Sequence, residues 1–204
     1  MTAHTTIAAT AMAAALVALG GCSPASENSN TITTSTTVLN ETPAAPAADP
    51  TAANAASTAD TATAELKTAD GKPAGTATAT EVGGAVQVTL AAAALPPGVH
   101  GAHVHTTGKC DAPKFETAGG HWNPAARQHG SENPEGPHAG DFPNLTAQSD
   151  GTGTLTMKLP AGTMAGLLDA DGAAFVVHAK PDDNRTDPSG NSGDRIACGV
   201  FIAG

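Results

Sequence analysis

Six of the eight histidines in this 204-residue chain fall between His100 and His138, and a seventh follows at His178. A fold that gathers so many imidazoles is a metal-binding fold, because neutral imidazole is the commonest metal ligand among side chains. His103 and His105 sit two apart in the β-like run Val99-His100-Gly101-Ala102-His103-Val104-His105, so their side chains leave one face of a strand. His121, His129 and His138, with Asp141 three residues after the last, lie in a stretch rich in Gly, Pro and Asn that reads as a long loop. Three imidazoles and a carboxylate make a complete tetrahedral zinc set, whereas strand-borne imidazoles suit copper. The ligand chemistry therefore predicts two metals of different character, with one histidine serving both.

The sequence around these residues predicts an all-β domain. From about Ala64 the chain consists of short β-branched or alternating runs, among them Ala85–Leu90, Gly153–Leu159 and Ala174–His178. Asp70-Gly71, Gly83-Gly84 and Asp150-Gly151 are tight-turn signals, and only Thr163 to Leu168 suggests a helical turn. Two segments lack apolar periodicity and are too long for turns, roughly Thr106 to Asp141 and Lys180 to Asp194. Loops of that length in a compact domain are usually functional, and the first carries all four zinc-type ligands.

Residues 1–63 differ in kind. An apolar stretch from Ile7 to Leu19 has the length of an export signal and is too short for the ~20 residues that span a bilayer. It runs into Leu19-Gly20-Gly21-Cys22, which resembles the processing box of bacterial lipoproteins, so residues 1–21 are expected to be a lipoprotein signal peptide and Cys22 the lipidated residue. The segment before the apolar stretch has no Lys or Arg, a departure from the usual signal. Residues 22–63, made mostly of Ala, Thr, Ser, Pro and Asn with no aromatic or basic residue, cannot bury enough apolar surface to fold. They read as a disordered tether with a reach of about 35 Å, which leaves residues 64–204 as the folded domain.

Charge and cysteines narrow the partners. The formal charge of -10 leaves nucleic acid without a basic surface to bind. With Cys22 as lipid carrier, Cys110 and Cys198 remain as an even pair, expected to be oxidised outside the cytoplasm, with two free thiols as the lesser alternative.

Five separated motifs then resemble the copper/zinc superoxide dismutases over essentially all of 64–204. They are Gly101-Ala102-His103-Val104-His105, Gly120-His121-Trp122-Asn123-Pro124, His138-Ala139-Gly140-Asp141, Val177-His178-Ala179-Lys180-Pro181-Asp182-Asp183 and Gly193-Asp194-Arg195-Ile196-Ala197-Cys198-Gly199. The resemblance implies an eight-stranded Greek-key β-barrel. It implies copper on His103, His105, His121 and His178, and zinc on His121, His129, His138 and Asp141, with His121 as the bridging imidazolate. It further implies a Cys110–Cys198 disulfide, an anion-positioning role for Arg195, and Asp182 as an acceptor linking a copper histidine to a zinc histidine. The implied reaction is disproportionation of superoxide, by an exported enzyme held to the cell envelope through its lipid anchor. The family contains monomers and dimers, so a homodimer is compatible with it. Lys180 and Arg185 are candidates for a local positive field that attracts the anion.

Other readings account for less of the sequence. A metal carrier needs neither Arg195 nor a bridge, and a zinc hydrolase needs an open zinc position that four ligands close. His100 is surplus to both ligand sets and reads as a structural hydrogen-bonding residue. Trp122, the only tryptophan, reads as a loop anchor.

Overall fold

A computed structural model describes residues 60–204. The expected signal peptide of residues 1–21, the lipidated Cys22 and nearly all of the tether lie outside the described residues.

Nine strands follow in chain order: β1 (Thr61–Thr68), β2 (Pro73–Val82), β3 (Ala85–Ala92), β4 (Gly98–His100), β5 (Ala102–His105), β6 (Leu145–Ala147), β7 (Gly153–Lys158), β8 (Ala174–His178) and β9 (Arg195–Ala203). A 3₁₀ turn at Glu116–Ala118 and a single helical turn, α1 (Met164–Leu167), are the helical elements among the described residues. The first strand starts at Thr61, three residues before the expected domain boundary. Glycine and the hairpins explain the first three strands: Gly83 and Gly84 both have positive φ, the type I′ geometry whose twist matches a two-residue hairpin. Thr163 accepts from the Gly166 N–H (3.1 Å) and so caps α1 at its N-terminus.

Seven strands form one antiparallel sheet in the order β5-β8-β9-β1-β2-β3-β7, and β4 pairs with β6 in a separate ribbon. The ribbon spans the edges of the large sheet by chain continuity, since β4 runs into β5 and β6 leads through a tight turn into β7. Within the large sheet the chain passes from β3, by way of β4, to β5 and from β7 to β8, each time across intervening strands, which is the Greek-key feature expected from the resemblance. The expectation of eight strands and the observed nine differ at one point, Gly101. There the chain leaves the ribbon for the large sheet: the Gly101 N–H donates to the Lys180 carbonyl and its own carbonyl accepts from the His178 N–H, both at 2.8 Å. A Cβ at Gly101 would lie 2.7 Å from the Ser192 Cβ, so only glycine fits between strand and loop.

Strand alternation sorts the side chains onto two faces. Ala62, Ala64 and Leu66 of β1, Ala77 and Ala79 of β2, and Val86, Val88 and Leu90 of β3 fill the interior. In the paired strands β5 and β8, Ala102, Val104, Phe175 and Val177 point into this core, where Phe175 meets Phe142 edge-on at 5.1 Å. His103 and His105 pair opposite Val176 and Ala174 and so leave the other face of the wall. Ala174 and Val176 are themselves buried there beneath Phe115, Ala118 and Cys198, in a second small cluster under the first long loop. The barrel interior supplies stability, and the metal-type residues occupy its covered outer wall.

His100 behaves as expected of a structural residue. Its ring lies between the carbonyls of Pro96 and His178, 2.8 Å from each, and ties the ribbon to the end of β8. Trp122 packs over Gly162, fixing the long loop against the segment before α1.

Candidate metal centre

All seven residues expected to bind metal are buried together against the outer face of β5 and β8. β5 contributes His103 and His105, and β8 ends on His178. The loop from Thr106 to Asn144 brings His121, His129, His138 and Asp141 over them, aligned by isolated bridges that pair His105 with His121 and His103 with Asp141. The second loop, between β8 and β9, closes the site with Asp182.

Hydrogen bonding fixes which nitrogen of each ring is available. His103 donates from Nε2 to Asp182 Oδ2 (2.5 Å), His129 from Nε2 to Asp182 Oδ1 (3.1 Å), His105 from Nδ1 to the Gly119 carbonyl (2.9 Å) and His178 from Nδ1 to the Gly193 carbonyl (3.1 Å). In a neutral imidazole, a proton on one nitrogen leaves a lone pair on the other. His103 Nδ1, His105 Nε2, His178 Nε2 and His129 Nδ1 are those other nitrogens. Each is buried without a hydrogen-bond partner, as is His121 Nε2. Buried polar atoms are almost always satisfied, so five such orphans in one place fit a bound cation.

The orphans divide into two groups. The ligand atoms of His103, His105, His121 and His178 lie within 4.8 Å of one another, room for an ion with metal–imidazole bonds of about 2 Å. In the other group Asp141 Oδ1 lies 2.8 Å from His121 Nδ1, 3.0 Å from His129 Nδ1 and 3.2 Å from His138 Nδ1, and the last is 3.4 Å from His121 Nδ1. A tetrahedral zinc with bonds of 2.0–2.1 Å has ligand edges of about 3.3 Å. His103 also comes within 4.8 Å of His121, His129 and Asp141, because its ring stacks on that of His121 at 3.9 Å. Its Nε2 is taken by Asp182, however, and His138 supplies the nitrogen at tetrahedral spacing.

The disulfide expected between Cys110 and Cys198 is present, with a Cα–Cα distance of 5.7 Å. It ties the first loop to β9, three residues from Arg195. The Arg195 guanidinium donates to the carbonyls of Phe115 and Gly119, both at 2.6 Å. Gly119 thus accepts from Arg195 and from His105 at once. A cleft lined by Pro113, Lys114, Glu116, Gly193, Asp194 and Arg195 opens above. Arg185, a candidate for the positive field, instead pairs with Glu132 at 2.7 Å.

Comparisons with known proteins decide the family. The sequence profile of copper/zinc superoxide dismutase (SODC) matches residues 73–201. The chain belongs to the copper/zinc superoxide dismutase family. It is 46% identical over 147 residues to a Cu-Zn superoxide dismutase of Caulobacter vibrioides, covering 69% of this chain and 84% of that one. A second Cu-Zn enzyme, from Aquifex aeolicus, is 42% identical over 146 residues, 69% of this chain and 85% of the relative. Among solved structures, a superoxide dismutase-like protein of Bacillus subtilis superposes with a TM-score of 0.65 at 37% identity, covering 69% of this chain and 97% of that one. The Cu/Zn superoxide dismutase of Brucella abortus gives 0.57 at 29% identity, covering 70% and 99%. The chain is accordingly an enzyme of superoxide dismutation that uses copper and zinc.

Sequence reasoning named Asp182 but missed the other acceptors that orient the rings. The Gly119 and Gly193 carbonyls carry no residue-type signal. Asn144, which exchanges hydrogen bonds with the Asp182 backbone at 2.7 and 2.8 Å, is one polar residue among many in the loops.

The buried rings give the metal-free protein a defined pH response. Burial holds His103 at about 3 and His178 at about 4, and pushes His105 and His121 below the ordinary imidazole value of 6.5. Groups depressed in the folded state are protonated first in the unfolded chain, so their stabilisation is present above about 6.5 and drains away as pH falls toward 3. Burial would raise Asp141 and Asp182, but hydrogen bonds from the histidines outweigh it and hold both well below the carboxylate range, adding to the loss in acid. His129 runs the other way: Asp141 and Asp182 overcome its burial and raise it to about 9, a contribution lost as pH rises through that value. Urea unfolding of the metal-free protein should therefore show stability falling steeply as pH drops below 6.5, and a smaller loss as pH rises from about 6.5 to about 9. Equal stability at pH 4.5 and pH 7 would contradict this assignment.

Proposed function

We propose that the protein is an exported, lipid-anchored superoxide dismutase whose two metal groups share the His121 imidazolate. The observation that carries the bridge is that His121 Nδ1 lies among the tetrahedrally spaced atoms around Asp141 while its Nε2 is a buried orphan on the opposite side. An imidazole that has lost both protons needs a cation on each nitrogen, and this ring is placed between two groups built to hold one.

His103 Nδ1, His105 Nε2, His121 Nε2 and His178 Nε2 would hold copper. His121 Nδ1, His129 Nδ1, His138 Nδ1 and Asp141 would hold zinc with no open position. Copper, when bound, supplies a one-electron couple that oxidises one superoxide to dioxygen and reduces the next to peroxide. Zinc has no redox chemistry. Superoxide disproportionation consumes two protons per hydrogen peroxide, and His121 can deliver one of them. With Nδ1 anchored in the zinc group, the ring stays in place while Nε2 takes up a proton and gives it to the reduced oxygen; water supplies the second. The rigid partners of the other rings keep their tautomers constant meanwhile.

Arg195 is the residue for the substrate. Two of its N–H groups are spent on the Phe115 and Gly119 carbonyls, which leaves the remaining donors and a permanent positive charge at the cleft for a small anion. Steering from farther out falls to Lys180 rather than the paired Arg185, and a Lys180→Ala protein that keeps both the parent's rate and the parent's dependence on ionic strength would remove that role.

Export and anchoring are supported by the disulfide, which persists in oxidising compartments, and by the Leu19-Gly20-Gly21-Cys22 box. Replacing Cys22 by Ser should move the protein from the membrane fraction to the soluble fraction of the expressing cell without changing its activity. Persistence in the membrane would rule out lipid anchoring at this residue. For the site, Arg195→Ala should retain both metals and lose about 10- to 100-fold in superoxide turnover, with a weakened dependence on ionic strength, the scale of local field effects on anion capture. Unchanged turnover would remove Arg195 from the substrate site.

A further inference from the structure

Each ring expected to bind a single metal should donate its far nitrogen to an acceptor, because that partner sets tautomer, orientation and basicity. The accounting is complete for four rings: His103 and His129 use Asp182, His105 uses the Gly119 carbonyl and His178 the Gly193 carbonyl. His138 is the remaining case. Its Nδ1 belongs to the Asp141 group, and its Nε2 makes no hydrogen bond among the described residues. The charged group that Nε2 faces is Asp187 Oδ1, at 3.8 Å. The same oxygen accepts from the His129 backbone N–H at 2.7 Å.

We propose that Asp187 is a positioning residue for the zinc group: one carboxylate oxygen from the second loop holds the backbone of His129 and presents negative charge to the far nitrogen of His138. The inference rests on the zinc reading of the His121, His129, His138 and Asp141 group. Asp187 stands beside the His138 ring as Asp182 stands beside the rings of His103 and His129. Asp182 is buried, whereas the Asp187 side chain is half-exposed, as is fitting for a group above the outermost ring. At 3.8 Å the contact with Nε2 is ionic rather than a formed hydrogen bond. Its weight therefore lies in charge, which raises the donor strength of His138 toward a cation on Nδ1, while the His129 bond fixes the backbone. Zinc retention then depends on the second loop being seated, although that loop contributes no zinc ligand of its own.

Two substitutions separate these parts. Asp187→Asn keeps an oxygen for the His129 N–H and removes the charge; Asp187→Ala removes both. The full chain, loaded with copper and zinc, is mixed with excess chromogenic chelator, and release of each metal is followed at neutral pH. Asp187→Ala should release zinc about 10- to 100-fold faster than the parent, the usual scale for losing such a partner, with Asp187→Asn in between and copper release unchanged. Cobalt(II) placed in the zinc group should show shifted visible bands in both variants, a response of the ligand field that loosened packing elsewhere would not give. Zinc release within twofold of the parent in both variants, or Asn matching the parent with unaltered cobalt bands, overturns the assignment. A parent that takes up no zinc overturns the zinc reading itself.

Discussion

Asp182 accepts from His103 through one oxygen and from His129 through the other, and the rest of the centre is arranged around that double contact. His103 is rooted in β5, part of the barrel wall, whereas His129 belongs to a loop with almost no regular structure. Both oxygens are spoken for, and the Asp182 backbone is fixed in turn by Asn144 at the end of that loop. Gly190 lies so close that any side chain there would strike the carboxylate. Strand-borne and loop-borne ligands are thereby brought into one register, which neither the sheet nor the loop could impose alone.

Such a site is costly without its metals. Four ring nitrogens, on His103, His105, His121 and His178, are buried with unpartnered lone pairs, and His129 Nδ1 faces Asp141, one of two carboxylates held in their charged form. Buried charge without compensation destabilises a fold by several kcal/mol in general, and the metal-free protein answers in part by keeping a proton on His129. Bound cations replace that proton and satisfy the orphans together, so metal binding and stability are one equilibrium. Trp122, Ala139 and Phe142 pack the loop into the core, and covalent and polar contacts fasten it further. The Cys110–Cys198 disulfide and the Arg195 contacts with Phe115 and Gly119 fasten it to β9. The arginine proposed to meet the anion thus also holds the carbonyl that orients His105.

Legibility in the sequence followed the physics of each part. The strands were readable because period-two alternation and Gly-Gly or Asp-Gly turns are local signals, and both long loops were recognisable by lacking any period. Histidine density and the His-x-His spacing exposed the metal chemistry, because two residues on one strand face must lie together. Gly101 was less legible: a strand that changes sheets keeps its alternation, and the pinch against Ser192 comes from a segment ninety residues away. Partners such as the Gly119 and Gly193 carbonyls, Asn144 and Asp187 were illegible for a different reason. Backbone acceptors are carried by every residue type, and one Asn or Asp in a polar loop differs from its neighbours only through the fold. The start of the folded region at Thr61 was hidden by an Ala/Thr composition shared with the segment before it.

The shared imidazolate is the claim on which the rest turns, and magnetism tests it directly. With Cu(II) loaded into both groups of the full chain, an imidazolate bridge through His121 should couple the two unpaired spins antiferromagnetically. The electron paramagnetic resonance intensity at low temperature should then be far below that of two isolated copper ions, and should recover when one copper is replaced by zinc. Two full, independent copper signals in the doubly loaded protein would contradict the bridge and leave two separate metal sites.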